Sequence, residues 1–212
     1  MTFDQRRAEL IDAAIRVIAR DGLAAATTRA IVGEAGMPQG SLFYIFSSRD
    51  ALISAVIEEI TTTERRGALL GVEMSGPDRG LREVLAAAMD AYLRLLERNP
   101  DRELALLEVA AHAMRHDPPA AHRQWQTYRA TVAEALSFIA DTMSMRWTLP
   151  LTDLAHMVTS ALDGLTLSWL TDRDGDAARR HIHVLAGTFA ALAVSEHDPV
   201  EATGASPQGE TV

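Results

Sequence analysis

The side chains best equipped for chemistry lie in one stretch of 20 residues, Thr27 to Phe46, TTRAIVGEAGMPQGSLFYIF. It holds the hydroxyls of Thr27, Thr28, Ser41 and Tyr44, the amide of Gln39 and the guanidinium of Arg29, with Arg49 close behind. A glutamine amide can pair with the N6 and N7 edge of adenine, and hydroxyl and guanidinium groups can bind phosphate oxygens. Other candidates are weaker. His112 and His116 stand four apart, on one face of a helix, but no third metal ligand is evident. His181 and His183 stand two apart and diverge on a helix. No nucleophile elbow surrounds any Ser. There is no cysteine, so disulfides, thiolate metal sites and Cys nucleophiles are excluded. All 20 basic residues are Arg, which removes P-loop and Schiff-base lysines. The expectation is no enzyme, no metal and no cofactor.

The elements that must position the stretch are two short helices and a tight turn. Thr27 or Thr28 can cap the first, ahead of the apolar pair Ile31 and Val32. Gly36 follows Ala35 after about two turns, and Gly most easily takes the left-handed conformation that ends a helix. Pro38 sits where a second helix can begin, because the first helical position needs no N–H. Gln39 to Tyr44 make its turns. Short helix, glycine turn, short helix is the sequence form of a helix-turn-helix, whose second helix can enter the DNA major groove.

With those residues in register, GLAAATTRAIVGEAGMPQGSLFYIFSSRDAL resembles the N-terminal DNA-binding segment of the TetR (tetracycline repressor) family of bacterial transcriptional regulators. Gly22, Thr27, Ile31, Ala35-Gly36, Gly40, Leu42, Phe46 and Leu52 carry the resemblance, which covers roughly residues 6 to 60. It implies a ligand-responsive regulator, read as a repressor: a homodimer on a palindromic double-stranded operator, released when a small-molecule effector binds the C-terminal half. The implied DNA-binding residues are Thr27, Thr28, Arg29, Pro38, Gln39, Gly40, Ser41, Phe43, Tyr44 and Arg49. Arg6 and Arg7 lie near the chain start, where the family often places basic residues against the DNA backbone.

The chain departs from the family at four places. The family usually has Tyr at the position of Phe43 and often His at that of Ile45, two side chains that commonly touch phosphates. Tyr44 can supply a replacement hydroxyl from another angle. Arg49 stands for the usual Lys, and Pro38 for the usual Ser. A helical ligand-binding protein with a decayed DNA-binding motif is the alternative these departures leave open.

Charge bears on the same choice. The net charge of −9 counts against a nucleic-acid partner at first sight. Residues 1–50 nevertheless carry six Arg and six acidic residues, so the acidic excess lies wholly beyond them. Affinity then rests on a few placed arginines, backbone N–H groups and helix N-termini. No signal-peptide run and no stretch of about 18 uninterrupted apolar residues occurs, so a cytoplasmic protein with no membrane partner is expected.

The rest of the chain reads as helix throughout. Leu10, Ile11, Ala14, Ile15 and Ile18 define a first helix over 4–21, with Arg16 and Arg20 on a solvated face. Ile53, Val56, Ile57 and Ile60 stripe a helix from Ser47-Ser48 to about Gly71, followed by a linker near 72–77. Further helices are expected over 79–98, 100–116, 120–145, from Pro150 through Trp169, and 177–194, with a turn at 172–176 and no strand. The predicted fold is all-α with about nine helices. A helix-turn-helix DNA-binding domain spans 4–64 (motif 27–46), a helical ligand-binding and dimerisation domain 77–196, and a disordered tail 197–212. The apolar helices 151–170 and 177–194 are the expected homodimer interface. Aromatic and soft side chains of the middle helices, Tyr92, His112, Met114, Trp125, Tyr128, Phe138 and Trp169, are the expected effector-binding residues.

Overall fold

Two apolar stripes, one at each end of the chain, gather two separate cores. A computed structural model describes residues 1–73 and 79–196, the side chains of 64, 65 and 67–73 apart. The described elements, in order, are α1 (Phe3–Asp21), a 3-10 turn (Leu23–Ala25), α2 (Thr28–Glu34), α3 (Ser41–Ile45), α4 (Arg49–Glu73), α5 (Leu81–Arg98), α6 (Pro100–His116), α7 (Pro118–Met143), β1 (Met145–Trp147), α8 (Leu151–Asp172), α9 (Gly175–Ala190) and β2 (Ala193–Ser195). The all-α reading with nine helices holds among the described residues. The expected linker lies partly, and the expected tail wholly, outside them.

The helix ends follow from local chemistry. Thr2 Oγ1 accepts from Gln5 N, and Thr2 N donates to Gln5 Oε1, a reciprocal pair that opens α1. Asp117 caps α7 by accepting from Ala120 N at 3.1 Å, with Pro118 next in the chain. Asp174 caps α9 by accepting from Ala177 N at 2.8 Å. The last helix therefore starts earlier than periodicity alone suggests.

The first core joins α1, α2, α3 and the N-terminal half of α4, and α6 adds Ala105, Leu106 and Val109 to it. Leu10, Ile31, Leu42 and Leu52 are fully buried there. The second core joins α5, α7, α8 and α9, with Leu93, Leu154, Leu165 and Ile182 at its centre. Helix α6 thus packs one face into the N-terminal core while its start lies beside the C-terminal one.

Two expectations are corrected. A short antiparallel ribbon pairs Met145 with Ser195, Arg146 with Val194 and Trp147 with Ala193, where helix ends were expected. Three-residue strands give no period to read, and Ser144, left-handed at φ 52°, turns the chain out of α7 into the ribbon. Arg16 and Arg20 do not form a merely solvated face. Arg16 reaches Glu9 and Glu34 at 2.9 Å, and Arg20 reaches Glu34 at 3.1 Å, which ties α1 to the end of α2.

Candidate nucleic-acid interface and internal cavity

The turn between α2 and α3 is fixed by backbone chemistry. Thr27 caps α2 by accepting from Ala30 N at 3.2 Å. Gly36 takes φ 62°, and Met37 N then donates to Val32 O at 2.9 Å while Gly36 N donates to Gly33 O at 3.1 Å. This paired closure satisfies carbonyls that the helix end leaves open, and it needs a left-handed residue at position 36. Pro38 does not begin the second helix as expected. It lies in the turn, where its carbonyl accepts from Ser41 N at 2.9 Å, and α3 starts at Ser41 with Gly40 before it. Pro38 fixes φ and so stiffens the turn instead.

Helix α3 divides into an inward and an outward side. Leu42 is fully buried, and Ile45 packs against the same core, which accounts for an aliphatic residue there. Phe43 and Tyr44 are 62% and 73% exposed, large values for aromatic side chains, and Pro38, Gln39 and Gly40 beside them are exposed too. Phe3, itself half exposed, packs edge-on against Tyr44 with ring centroids 6.2 Å apart. Sequence spacing carried no signal for Phe3, because the contact depends on where α1 begins in space. A Cβ added to Gly40 would meet nothing within 4 Å, so the chain's own packing does not require glycine there.

The flanking basic residues have distinct roles. Arg29 and Arg6 are exposed and make no ion pair among the described residues. The Arg7 guanidinium lies 5.7 Å from the centre of the Phe46 ring. Arg49 points inward with two of its donors: Nε donates to Ala26 O at 2.7 Å and Nη2 to Leu23 O at 2.5 Å. It fastens the start of α4 to the turn ahead of α2. The Arg16 hydrogen bond, joined by that of Arg20, holds the Glu34 carboxyl below the usual carboxylate range.

The C-terminal half holds a partly open apolar cavity of about 90 Å³ between α5, α7 and α8. Leu85, Ala88, Met89, Tyr92, Tyr128, Thr131, Val132, Ala135, Leu136, Ile139, Val158 and Leu162 line it. Of the expected effector-binding residues it therefore gathers Tyr92 and Tyr128. Trp169 is buried in the core and lines a separate space between α8 and α9. Trp125 and Phe138, on α7, do not line the cavity, and His112 and Met114 face solvent on α6. The rings of His112 and His116 lie 4.5 Å apart, and among the described residues no group of three or more His, Asp or Glu is placed to hold a metal.

Polar groups missed by sequence reasoning meet at the edge of this cavity. The Tyr92 hydroxyl shares a 2.5 Å hydrogen bond with Thr166 Oγ1 and donates to Glu103 Oε2 at 3.3 Å. Glu103 is only 7% exposed. Burial, with the charge of Glu103 adding to it, pushes the half-buried Asp163 carboxyl up to about 6, against the opposing pull of Arg129. Next to Glu103, Arg102 reaches the N-terminal elements. Its Nη2 donates to Asp12 Oδ1 of α1 at 3.3 Å, and its Nη1 lies 3.8 Å from Glu59 of α4.

Comparison with known proteins agrees with this geometry. The family described as "Bacterial regulatory proteins, tetR family" matches residues 10–56. The HTH-type nicotine-responsive transcriptional repressor HdnoR of Paenarthrobacter nicotinovorans is 27% identical over 169 residues, 79% of this chain and 84% of that repressor. The HTH-type transcriptional repressor NicS of Pseudomonas putida is 26% identical over 137 residues, 64% of this chain and 60% of NicS. A crystal structure of a TetR-family regulator from Rhodococcus sp. superposes with a TM-score of 0.70 at 21% identity, over 88% of this chain and 99% of that one. No described helix is long and apolar enough to cross a membrane. The exposed helix-turn-helix and the matched segment show a tetR-type DNA-binding domain over residues 10–56, and with the repressor relatives they support a DNA-binding transcriptional regulator.

Proposed function

We propose that the protein is a ligand-responsive repressor that binds a palindromic operator as a homodimer and releases it when a small organic molecule enters the cavity between α5, α7 and α8. Gln39 reads base edges, Ser41 and Tyr44 contact phosphate or base edges, and Phe43 adds apolar contact. Thr27 and Thr28 present the start of α2 to a phosphate, and Arg29 adds charge. Pro38 holds the turn. Gly40 admits the DNA backbone closely, in keeping with a glycine that the fold itself does not demand. Arg49 acts by fixing the motif's entry, through its two backbone hydrogen bonds.

The observation that carries the ligand-responsive part is the division of labour on α6. Arg102 ties its first turn to α1 and α4, Glu103 touches the hydroxyl of cavity-lining Tyr92, and Leu106 and Val109 sit in the N-terminal core. A ligand that alters the Tyr92–Glu103 contact shifts a helix packed directly on the DNA-binding unit. It needs only a difference in affinity between the two positions of that helix. A relative named as nicotine-responsive supports a small organic molecule as the effector class. The dimer reading rests on the exposed apolar side chains Met157, Leu167 and Val184 on α8 and α9. Two such faces pack into a four-helix interface that sets the half-site spacing, about 34–36 Å.

Light scattering of the protein alone should give a dimer mass, and Leu167→Arg with Val184→Arg should give a monomer with weakened operator binding. A monomeric wild type would contradict the dimer reading. In the ligand-responsive part, Arg102→Ala should keep effector binding yet lose effector-driven release of DNA. Unchanged release would remove α6 from the mechanism.

A further inference from the structure

We infer that the effector is an organic cation with an aromatic or aliphatic body, and that Glu103 and Asp163 take up its charge. The inference rests on reading the cavity as the effector site and goes on to name the chemistry of the ligand.

The cavity itself is apolar, so it supplies area but no orientation. Orientation must come from its polar edge. There Tyr92 lines the cavity while its hydroxyl bonds Glu103 and Thr166. Glu103 also lines a second space of about 240 Å³ between α4, α5 and α6, whose wall carries Arg98 and Arg102 as well. On α8, Thr159, Asp163 and Thr166 share one helical face by their spacing. Thr166 reaches Tyr92, which turns that face toward the cluster. Val158 and Leu162, the neighbours of Thr159 and Asp163, line the cavity.

Two features of this cluster call for a partner. Among the described residues no ion pair joins Glu103 or Asp163 to a basic group, although burying an unpaired carboxylate is costly. Arg129 is the basic group that lowers Asp163, and the upward push of burial and Glu103 prevails over it. The second feature is an unsatisfied hydroxyl: Thr159 is 3% exposed and its Oγ1 has no hydrogen-bond partner among the described residues. An ammonium group seated between the carboxyls offers both an opposite charge and N–H donors. An anion would be repelled by both carboxyls, against the pull of Arg129, whose Nε has no hydrogen-bond partner among the described residues. The rings of Tyr92 and Tyr128 at the cavity wall favour a cation further.

Three probes with one skeleton and different heads test this: 4-phenylbutylamine, 4-phenylbutanol and 4-phenylbutyrate. Each is titrated calorimetrically into the full chain and into Glu103→Gln, Asp163→Asn and Leu162→Trp, with circular dichroism confirming that the variants fold. The amine should bind at least about tenfold more tightly than the alcohol, the effect of one charge-assisted hydrogen bond. Glu103→Gln and Asp163→Asn should each remove most of that preference and leave the alcohol within about twofold. Leu162→Trp should block amine and alcohol together. If the alcohol or the butyrate binds as tightly as the amine, and Leu162→Trp still blocks them, the site stands and the cation inference fails. If no probe binds, or Leu162→Trp changes nothing, the effector-site reading fails and the inference with it.

Discussion

The two halves of this chain handle polar groups in opposite ways. Around the helix-turn-helix, polar side chains either pair with one another or stand in solvent. Thr27 caps α2, Arg49 binds two carbonyls, Arg16 and Arg20 meet on Glu34, and Gln39 and Tyr44 face outward. In the C-terminal half, Glu103, Thr159 and Thr166 are drawn into the interior, and Thr159 Oγ1 is left without a partner among the described residues. The first arrangement suits a rigid surface that meets a large partner from outside. The second suits an interior completed by a small molecule.

The sharpest way to break this comparison is to erase the outward surface without touching the core. Gln39→Ala combined with Tyr44→Ala should weaken operator binding by roughly 100-fold, since a good base contact is worth about 1–3 kcal/mol. Stability should stay within about 0.5 kcal/mol, because both side chains are exposed. Fluorescence anisotropy and urea unfolding on the same preparation check both halves; equal DNA affinity would mean that α3 is not the reading helix. Gly36→Ala sharpens the account of the turn. At φ 62° any Cβ is strained, so a loss of about 1–2 kcal/mol in urea unfolding is expected. Gly40→Ala is its control: the residue has an ordinary φ of −71° and open space around it, so stability should hold or rise while DNA affinity drops.

Smaller effects are expected from the ionisable groups. In the unfolded chain Asp163 ionises near 3.8, whereas in the folded protein burial holds its proton up to about 6. This group's stabilising contribution is complete at pH values below 3.8 and is lost as pH rises through 6. Asp163→Asn should therefore gain stability above pH 6 and nothing below 3.8. Discounted for its half-exposed position, the gain is roughly 1 kcal/mol. Melting curves across that pH window measure it, and a loss above pH 6 would reverse the assignment. Glu34→Gln should matter least. Its pairs with Arg16 and Arg20 lie at the surface, so its small effect on the melting temperature should fade in high salt.

The same contrast explains what was legible in the sequence. Helix-turn-helix residues are set by local rules, so Gly36, Thr27 and Leu42 could be read from type and spacing. Pro38 misled by one element, because a proline suits the turn before a helix as well as its first position. Strong punctuation also gave α6 its bounds, Asn99-Pro100 and Asp117-Pro118. The cavity was harder. Which of the seven expected effector-binding side chains face one space depends on helix crossing, and of these Tyr92 and Tyr128 do so. Glu103 and Asp163 gave no signal at all, since an acidic residue on a helix usually marks a solvated face. Their burial comes from the packing of α5, α6, α7 and α8. The ribbon of β1 and β2 was hidden in the same way by its brevity.

The most direct test of the central claim is a titration of the purified protein into labelled fragments of its own upstream DNA and a scrambled control, at several salt concentrations. The account predicts sequence-dependent binding whose log affinity falls by about 0.9 per neutralised phosphate for each log unit of salt. With so few unpaired arginines near α3, that slope should be shallow. Binding that is equal on both fragments, together with a genome-wide selection that returns no preferred site, would contradict it and leave a helical ligand-binding protein with a decayed motif.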